Sequence, residues 1–193
     1  MTLVATWNIN GVKARIDALL AWLGERKPDI ACLQEIKSVD EGFPRSEIEA
    51  LGYHVETHGQ KGFNGVAILS RQAPLEMGAE RGLPGGDDDV QSRFIEGLFP
   101  LPNGGRIRVS CLYLPNGNPI GTEKFDYKLA WMERLRRHAQ ELLRTEQPFV
   151  LGGDYNIIPR DVDCHSPAAW MDDALFLPES KNRYRALANL GFA

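Results

Sequence analysis

Residues 3–37 read LVATWNINGVKARIDALLAWLGERKPDIACLQEIK, and the fold follows from this stretch. Leu3 to Trp7 is a short run with strand character. Val12, Ile16, Leu19, Leu20 and Leu23 then recur at helical spacing, which predicts an amphipathic helix over 12–26 closed by Pro28. Ile30 to Leu33 is a second apolar run, short enough for a buried strand. Strand, helix and strand in immediate succession point to an α/β architecture.

Both strands run directly into polar residues, Asn8 and Asn10 after the first and Glu35 and Lys37 after the second. The pattern recurs at Tyr113-Leu-Pro-Asn116, after the run Ile107 to Leu112, and at Gly152-Gly-Asp-Tyr-Asn156, after Phe149 to Leu151. A fifth segment, His58-Gly-Gln-Lys-Gly-Phe-Asn-Gly65, precedes an apolar run instead. Strand ends are rigid places from which to aim polar side chains at one point.

The remaining elements are coarser. A short helix is predicted over 44–51, ended by Gly52. Strands are expected over 53–57, 65–70, 93–99 and 106–112, the last two joined through Pro102-Asn-Gly-Gly105, a hairpin signal. Thr122 to Arg144 predicts the longest helix, with Leu129, Met132, Leu135 and Leu142 on one face. A final helix is expected over 181–190. The acidic run Asp87-Asp88-Asp89 follows Pro84-Gly-Gly and reads as a solvated loop, since adjacent side chains in a turn diverge.

The 193 residues suffice for one domain, and no repeat or interdomain linker interrupts them. Hydrophobic content of 43% and charged content of 25% are ordinary for a soluble globular protein. No apolar run approaches the roughly 20 residues of a membrane helix, and the N-terminus lacks the regions of a signal peptide. Cys32, Cys111 and Cys164 show no metal spacing; buried thiols in strand runs suit a reducing cytoplasm. A net charge of −4 argues against a general nucleic-acid binder but not against a nuclease with an acidic metal site. Lys37, Lys61, Arg93, Lys124 and Lys128 are candidates for a local basic surface.

The strand-end residues carry the chemistry. A carboxylate at the mouth of a buried strand is costly unless paired or metal-bound, so Glu35 either binds a cation or pairs with Lys37. Mg²⁺ takes one or two protein carboxylates and completes its octahedron with water and phosphate oxygens. Asp154 can accept a proton from an attacking water or hold it in line, with Asn156 on the same side if strand alternation continues. An Asx-turn is the plain reading of that pair. Asn8 and Asn10 can bond a carboxylate or a phosphate, and Asn10 can equally cap the helix that follows. Tyr113 can donate to a phosphoryl oxygen or serve as a core tyrosine.

Taken together and in this order, the segments resemble the exonuclease III family of abasic-site endonucleases. Trp7-Asn-Ile-Asn-Gly-Val-Lys-Ala-Arg15, Leu33-Gln-Glu-Ile-Lys37, His58 to Leu69, Tyr113-Leu-Pro-Asn-Gly-Asn-Pro119 and Gly153-Asp-Tyr-Asn156 carry the resemblance, which spans essentially the whole chain. It implies a four-layer α/β sandwich of two packed mixed sheets flanked by helices. It implies Mg²⁺ or Mn²⁺, duplex DNA with abasic sites or 3′ ends, and neither membrane nor nucleotide cofactor. Incision 5′ to an abasic site and 3′ to 5′ removal of nucleotides are the implied activities. By position, Asn8, Glu35, Asp154 and Asn156 would form the metal and water site. Tyr113 would contact the scissile phosphate, and Asn10, Lys37, Lys61, Asn64, Asn116 and Lys124 would face DNA.

One departure accompanies the resemblance. Family members usually continue for several dozen residues, with further strands and a closing Ser-Asp-His-like segment, and nothing after Asn156 matches it. His165 lies too early and reads as a loop residue. The expectation is a single domain over 1–193 that is C-terminally incomplete and nearly inactive alone. The rival functions are a phosphomonoesterase or lipid phosphodiesterase on the same fold, and an inactive DNA-binding fragment.

Overall fold

The computed structural model describes residues 2–78, 81–86, 88–102 and 104–192. Asp87 of the acidic run and Asn103 of the hairpin turn fall outside the described residues, as do Met1 and Ala193. Two compact units emerge, one formed by 1–113 with 147–154 and one by 114–146 with 155–193.

Among the described residues, the first unit holds eight strands in two four-stranded sheets. One sheet contains β1 (Val4–Asn8), β2 (Ile30–Gln34), β4 (Val66–Ser70) and β3 (His54–His58), in that order. β1 and β2 are parallel, whereas β4 is antiparallel to both β2 and β3. The other sheet runs β5 (Glu76–Met77), β6 (Phe94–Pro100), β7 (Arg106–Tyr113) and β8 (Phe149–Asp154). Here β7 and β8 form the parallel pair. The parallel β1-β2 pair is connected through α1 (Ile16–Arg26), as the opening stretch predicts, and the short α2 (Arg45–Glu49) precedes β3.

Alternation explains why β2 and β4 are apolar up to their last residues, Gln34 and Ser70. Ile30, Cys32, Val66 and Ile68 point into a core shared with Ile95, Phe99, Val109 and Cys111 of the other sheet. Ala31, Leu33, Ala67 and Leu69 point the opposite way, into a core with Leu19 and Leu23 of α1. A strand buried on both faces has no polar face to show. Each of the larger side chains contributes roughly 1.5–3 kcal/mol by burial. Cys32 and Cys111 are free thiols in the intersheet core. The neighbouring Cys111 thiol and burial hold Cys32 well above the usual thiol range, so it is inert as a nucleophile.

The second unit contains α3 (Glu123–Arg144) and α4 (Pro178–Ala188), packed on one another. Thr122 caps α3, its hydroxyl accepting from the Lys124 backbone N–H at 3.3 Å. Tyr155 and Tyr184 meet edge to face with centroids 5.7 Å apart. Among the described residues, no helix is long and apolar enough to cross a membrane.

The elements depart from the sequence reading at particular places. The first helix is split, with a 3₁₀ turn over Lys13–Arg15 before α1. The last helix begins at Pro178, because proline fits a first helical turn whose N–H groups have no partner. β5, two residues long, has no sequence signal at that length. Lys128, expected on a basic surface, is fully buried, and Leu129 is only half-buried. β8 extends past Leu151 through both glycines to Asp154. Gly153 has φ 152° and lies so close to β7 that a β-carbon would stand 2.0 Å from the Leu112 carbonyl oxygen. Gly153→Ala is therefore expected to destabilise the fold by about 3 kcal/mol or more, because backbone on backbone cannot yield. A urea midpoint within error of the parent would refute this close approach.

Candidate metal and phosphodiester site

The two parallel pairs end together. In β1-β2 the last register pair is Asn8 with Gln34, one residue before Glu35; in β7-β8 it is Tyr113 with Asp154. Each sheet thus delivers an amide or a phenol beside a carboxylate at the carboxyl ends of its parallel strands.

Asn8 joins the two sheets. Its Nδ2 donates to Glu35 Oε1 at 2.9 Å and to Asp154 Oδ2 at 2.7 Å. Only the NH₂ end of the amide can face two carboxylates, since its oxygen would be repelled by both. The amide oxygen turns away and accepts from the Asn10 backbone N–H at 3.2 Å. These charge-assisted bonds fix both carboxylates with one rigid plane.

Glu35 sits at φ 53°, in the left-handed region, and Lys37 repeats this at φ 50°. Backbone bonds on both sides hold the conformation. Gly11 N–H donates to Glu35 O at 2.7 Å, Ile36 N–H to Gly65 O at 3.1 Å, and Lys37 N–H to Asn64 O at 3.0 Å. Strain of this kind persists where surrounding structure over-determines it. Lys37 Nζ reaches Glu35 Oε2 at 3.0 Å and also donates to Asn10 Oδ1. Of the two readings that the sequence left open for Glu35, cation ligand and partner of Lys37, the ion pair is thus present.

Burial pushes Glu35 up, but donors from Asn8, Lys37 and Tyr113 together with the Lys37 charge outweigh it and hold Glu35 below the usual glutamate range. The carboxylate form persists as pH falls through the ordinary glutamate value, and is lost only as pH falls through the lowered one. Tyr113 moves oppositely. Burial, the hydrogen bond to Glu35 and that group's charge push the phenol up to about 12, so it remains an O–H donor at neutral pH.

Arg93 supports Tyr113. Its guanidinium lies over the ring, 4.9 Å from the centroid, and Nη1 donates to the Tyr113 carbonyl at 3.2 Å. The sequence reading offered Arg93 only as surface charge; antiparallel pairing of Phe94 with Leu112 turns it toward Tyr113. Gln60 and Gln91 were missed, and no spacing signals them. Gln60 Oε1 accepts from Asn64 Nδ2 at 3.0 Å and from Ser92 N–H at 3.1 Å, while Gln91 Oε1 accepts from Arg93 Nε at 2.7 Å. Asn64 is thereby buried at the base of the loop after β3, whereas Lys61 is exposed on it.

Asn8, Asn10, Glu35, Lys37, Tyr113 and Asp154 are thus gathered in the first unit. Asn116, Lys124 and Asn156 belong to the second. Asn156 lies beyond the end of β8 with φ 46°, so strand alternation does not extend to it. Its Nδ2 donates to Leu114 O at 2.8 Å. Asn116 and Lys124 are exposed, as is His165.

Among the described residues, no three His, Cys, Asp or Glu groups cluster as they would for a metal held by protein alone. Two carboxylates held by one amide, without imidazole or thiolate, form a hard-oxygen donor set. Such a set fits Mg²⁺ or Mn²⁺, which keep water and substrate oxygens as ligands, and does not suit structural zinc.

Residues 5–191 match the model of the endonuclease/exonuclease/phosphatase family. The chain is 36% identical over 200 residues to exodeoxyribonuclease III of Haemophilus influenzae, covering 96% of this chain and 71% of that protein. A solved AP endonuclease from Archaeoglobus fulgidus superposes with TM-score 0.89 at 34% identity, over 99% of this chain and 71% of its own. The 3′ phosphatase NExo from Neisseria, solved bound to product DNA hairpin, gives 0.87 at 33% identity, over 99% and 72%.

Proposed function

The chain belongs to the endonuclease/exonuclease/phosphatase family, in its exonuclease III branch, and from that premise we propose a metal-dependent DNA repair nuclease that hydrolyses phosphodiester bonds in duplex DNA. Abasic sites and 3′ ends are its substrates in this reading. The observation that carries it is the Asn8 amide shared between Glu35 and Asp154, which presents two carboxylates at one strand-end site.

Mg²⁺ or Mn²⁺ is the proposed cofactor, with Glu35 as its principal protein ligand and Asp154 beside it; when bound it neutralises charge that develops on the phosphate. Asn8 fixes the two carboxylates relative to one another. Asp154 orients the attacking water and takes its proton as the water oxygen bonds to phosphorus. The phosphorus–oxygen bond opposite it breaks, the leaving oxygen takes a proton from solvent water, and Asp154 returns its proton to solvent. Tyr113, kept protonated, donates to a phosphoryl oxygen, and Arg93 keeps its ring in place. Asn156 has the water- and phosphate-holding role that the resemblance implies. Asn10, Lys37, Lys61, Asn116 and Lys124 are the proposed DNA-contacting residues, and the buried Asn64 holds the loop that presents Lys61. Lys37 serves both purposes, countering Glu35 and offering a donor to a phosphate.

The test compares substrates on the natural gene product. A duplex with one abasic site should be cut in Mg²⁺, the cut should vanish with chelator, and small sugar and lipid phosphates should be untouched. DNA binding should weaken with salt, and Lys124→Ala should flatten the log–log slope by about one unit. Turnover of the small esters with the duplex intact would make the protein a phosphatase or lipid phosphodiesterase. Binding of duplex without cleavage would leave a DNA-binding protein and no enzyme.

A further inference from the structure

Lys128 is fully buried near the start of α3. It shares one helix face with Trp131, Met132, Leu135, Ala139 and Leu142, standing at the head of an otherwise apolar stripe. An ammonium there is costly unless hydrogen bonds hold it. Its Nζ donates to the Asn116 carbonyl at 3.0 Å and to the Asn156 carbonyl at 2.7 Å. Those residues lie on two separate loops of the second unit. The Asn156 side chain closes the link by donating to Leu114 O at 2.8 Å.

The packing around the lysine stem is equally specific. Gly117, at φ 88°, lies so close that a β-carbon would stand 2.6 Å from Lys128 Cδ and 3.2 Å from the Ala174 β-carbon. Asn118 then ties the same loop to a third segment. Its Nδ2 donates to Asp173 Oδ2, and its Oδ1 accepts from Ala174 N–H, both at 3.0 Å.

We propose that Lys128 is a positioning residue, a buried cation that sets the Asn116 and Asn156 loops by holding one backbone carbonyl of each. A point donor with three hydrogens suits this task, because carbonyls from two loops arrive from different directions. Asn156 in particular has a left-handed φ of 46°, a conformation that asparagine keeps where bonds hold it. Its carbonyl bond to Lys128 and its side-chain bond to Leu114 supply that restraint. The consequence for catalysis rests on the nuclease reading of Asn116 and Asn156; the loop clamp itself does not.

Lys128→Met keeps the stem and removes the ammonium. Amide hydrogen exchange should rise by about tenfold or more over 114–119 and 155–158, with the C-terminal half of α3 unchanged. In cleavage assays kcat should fall by about 10- to 100-fold, while KM for the duplex stays within about threefold, since misplaced groups cost turnover before affinity. Lys128→Gln keeps most of the stem and a two-hydrogen donor without charge, so it should show smaller effects of the same sign in both loops, and it serves where Lys128→Met does not fold. Unchanged protection in the two loops would overturn the proposal, as would exchange that rises uniformly across the unit. A parent protein that binds no duplex and cuts none would overturn the nuclease reading, and the exchange data would still decide the clamp.

Discussion

Replacing Glu35 with glutamine is expected to lower Mg²⁺ affinity by more than about 100-fold, since even outer partners of a metal ligand are worth 10- to 100-fold. The substitution keeps shape and removes one charge. Glutamine still offers an oxygen to Asn8, so the strand end should survive, but Lys37 loses its ion partner. Titration calorimetry with Mg²⁺, or spin resonance with Mn²⁺, reads the affinity directly and needs no turnover. A second readout is independent of metal. The Tyr113 phenol is pushed up to about 12 first by burial and then by Glu35. In Glu35→Gln the hydrogen-bond and charge contributions from Glu35 go and burial stays, so the phenol should titrate lower but still above an ordinary tyrosine. Ultraviolet titration of Glu35→Gln against the parent and Tyr113→Phe isolates that group. If metal affinity is unchanged while the phenol shifts as expected, the geometry is right and Glu35 is not the ligand.

The sequence made the strand ends legible because burial on two faces leaves a clear mark. Ile30 to Leu33 and Val66 to Leu69 are apolar without interruption, and polarity returns at the last residue of each strand, Gln34 and Ser70, just before the chain leaves the core. Glu35, Tyr113 and Asp154 could therefore be singled out one at a time. The Asn8 bridge could not be read. Asn8 and Asp154 stand 146 residues apart, and their contact depends on how two sheets pack, which leaves no periodic trace. Lys128 was misread because charge was taken as the sign of a surface. Its spacing to Met132, Leu135, Ala139 and Leu142 places it on the buried face, and the better question was which carbonyls it could satisfy. Asn156 would share a side with Asp154 only if strand alternation continued to it, but the strand ends at Asp154, and the left-handed φ of Asn156 is stabilised by contacts remote in sequence.

The second large effect concerns Asp154. Asp154→Asn should lower kcat by roughly 10²–10⁴-fold, the usual worth of a positioned acid or base. Affinity for the duplex should hold or tighten slightly, because the substitution removes a negative charge from a site that faces phosphates. The sign separates the roles. A residue that merely bound DNA would lose affinity and turnover together, whereas one that handles water loses turnover alone. Single-turnover cleavage beside equilibrium binding in chelator measures the two separately. Asn8 sharpens the result, since its NH₂ spans Asp154 at 2.7 Å and Glu35 at 2.9 Å. Asn8→Ala should cost much turnover in the parent and less once Asp154 is already asparagine, because the amide then has only the Glu35 carboxylate left to hold. Additive losses in the double variant would mean that Asn8 and Asp154 act separately, and the shared-amide account of this site would fail.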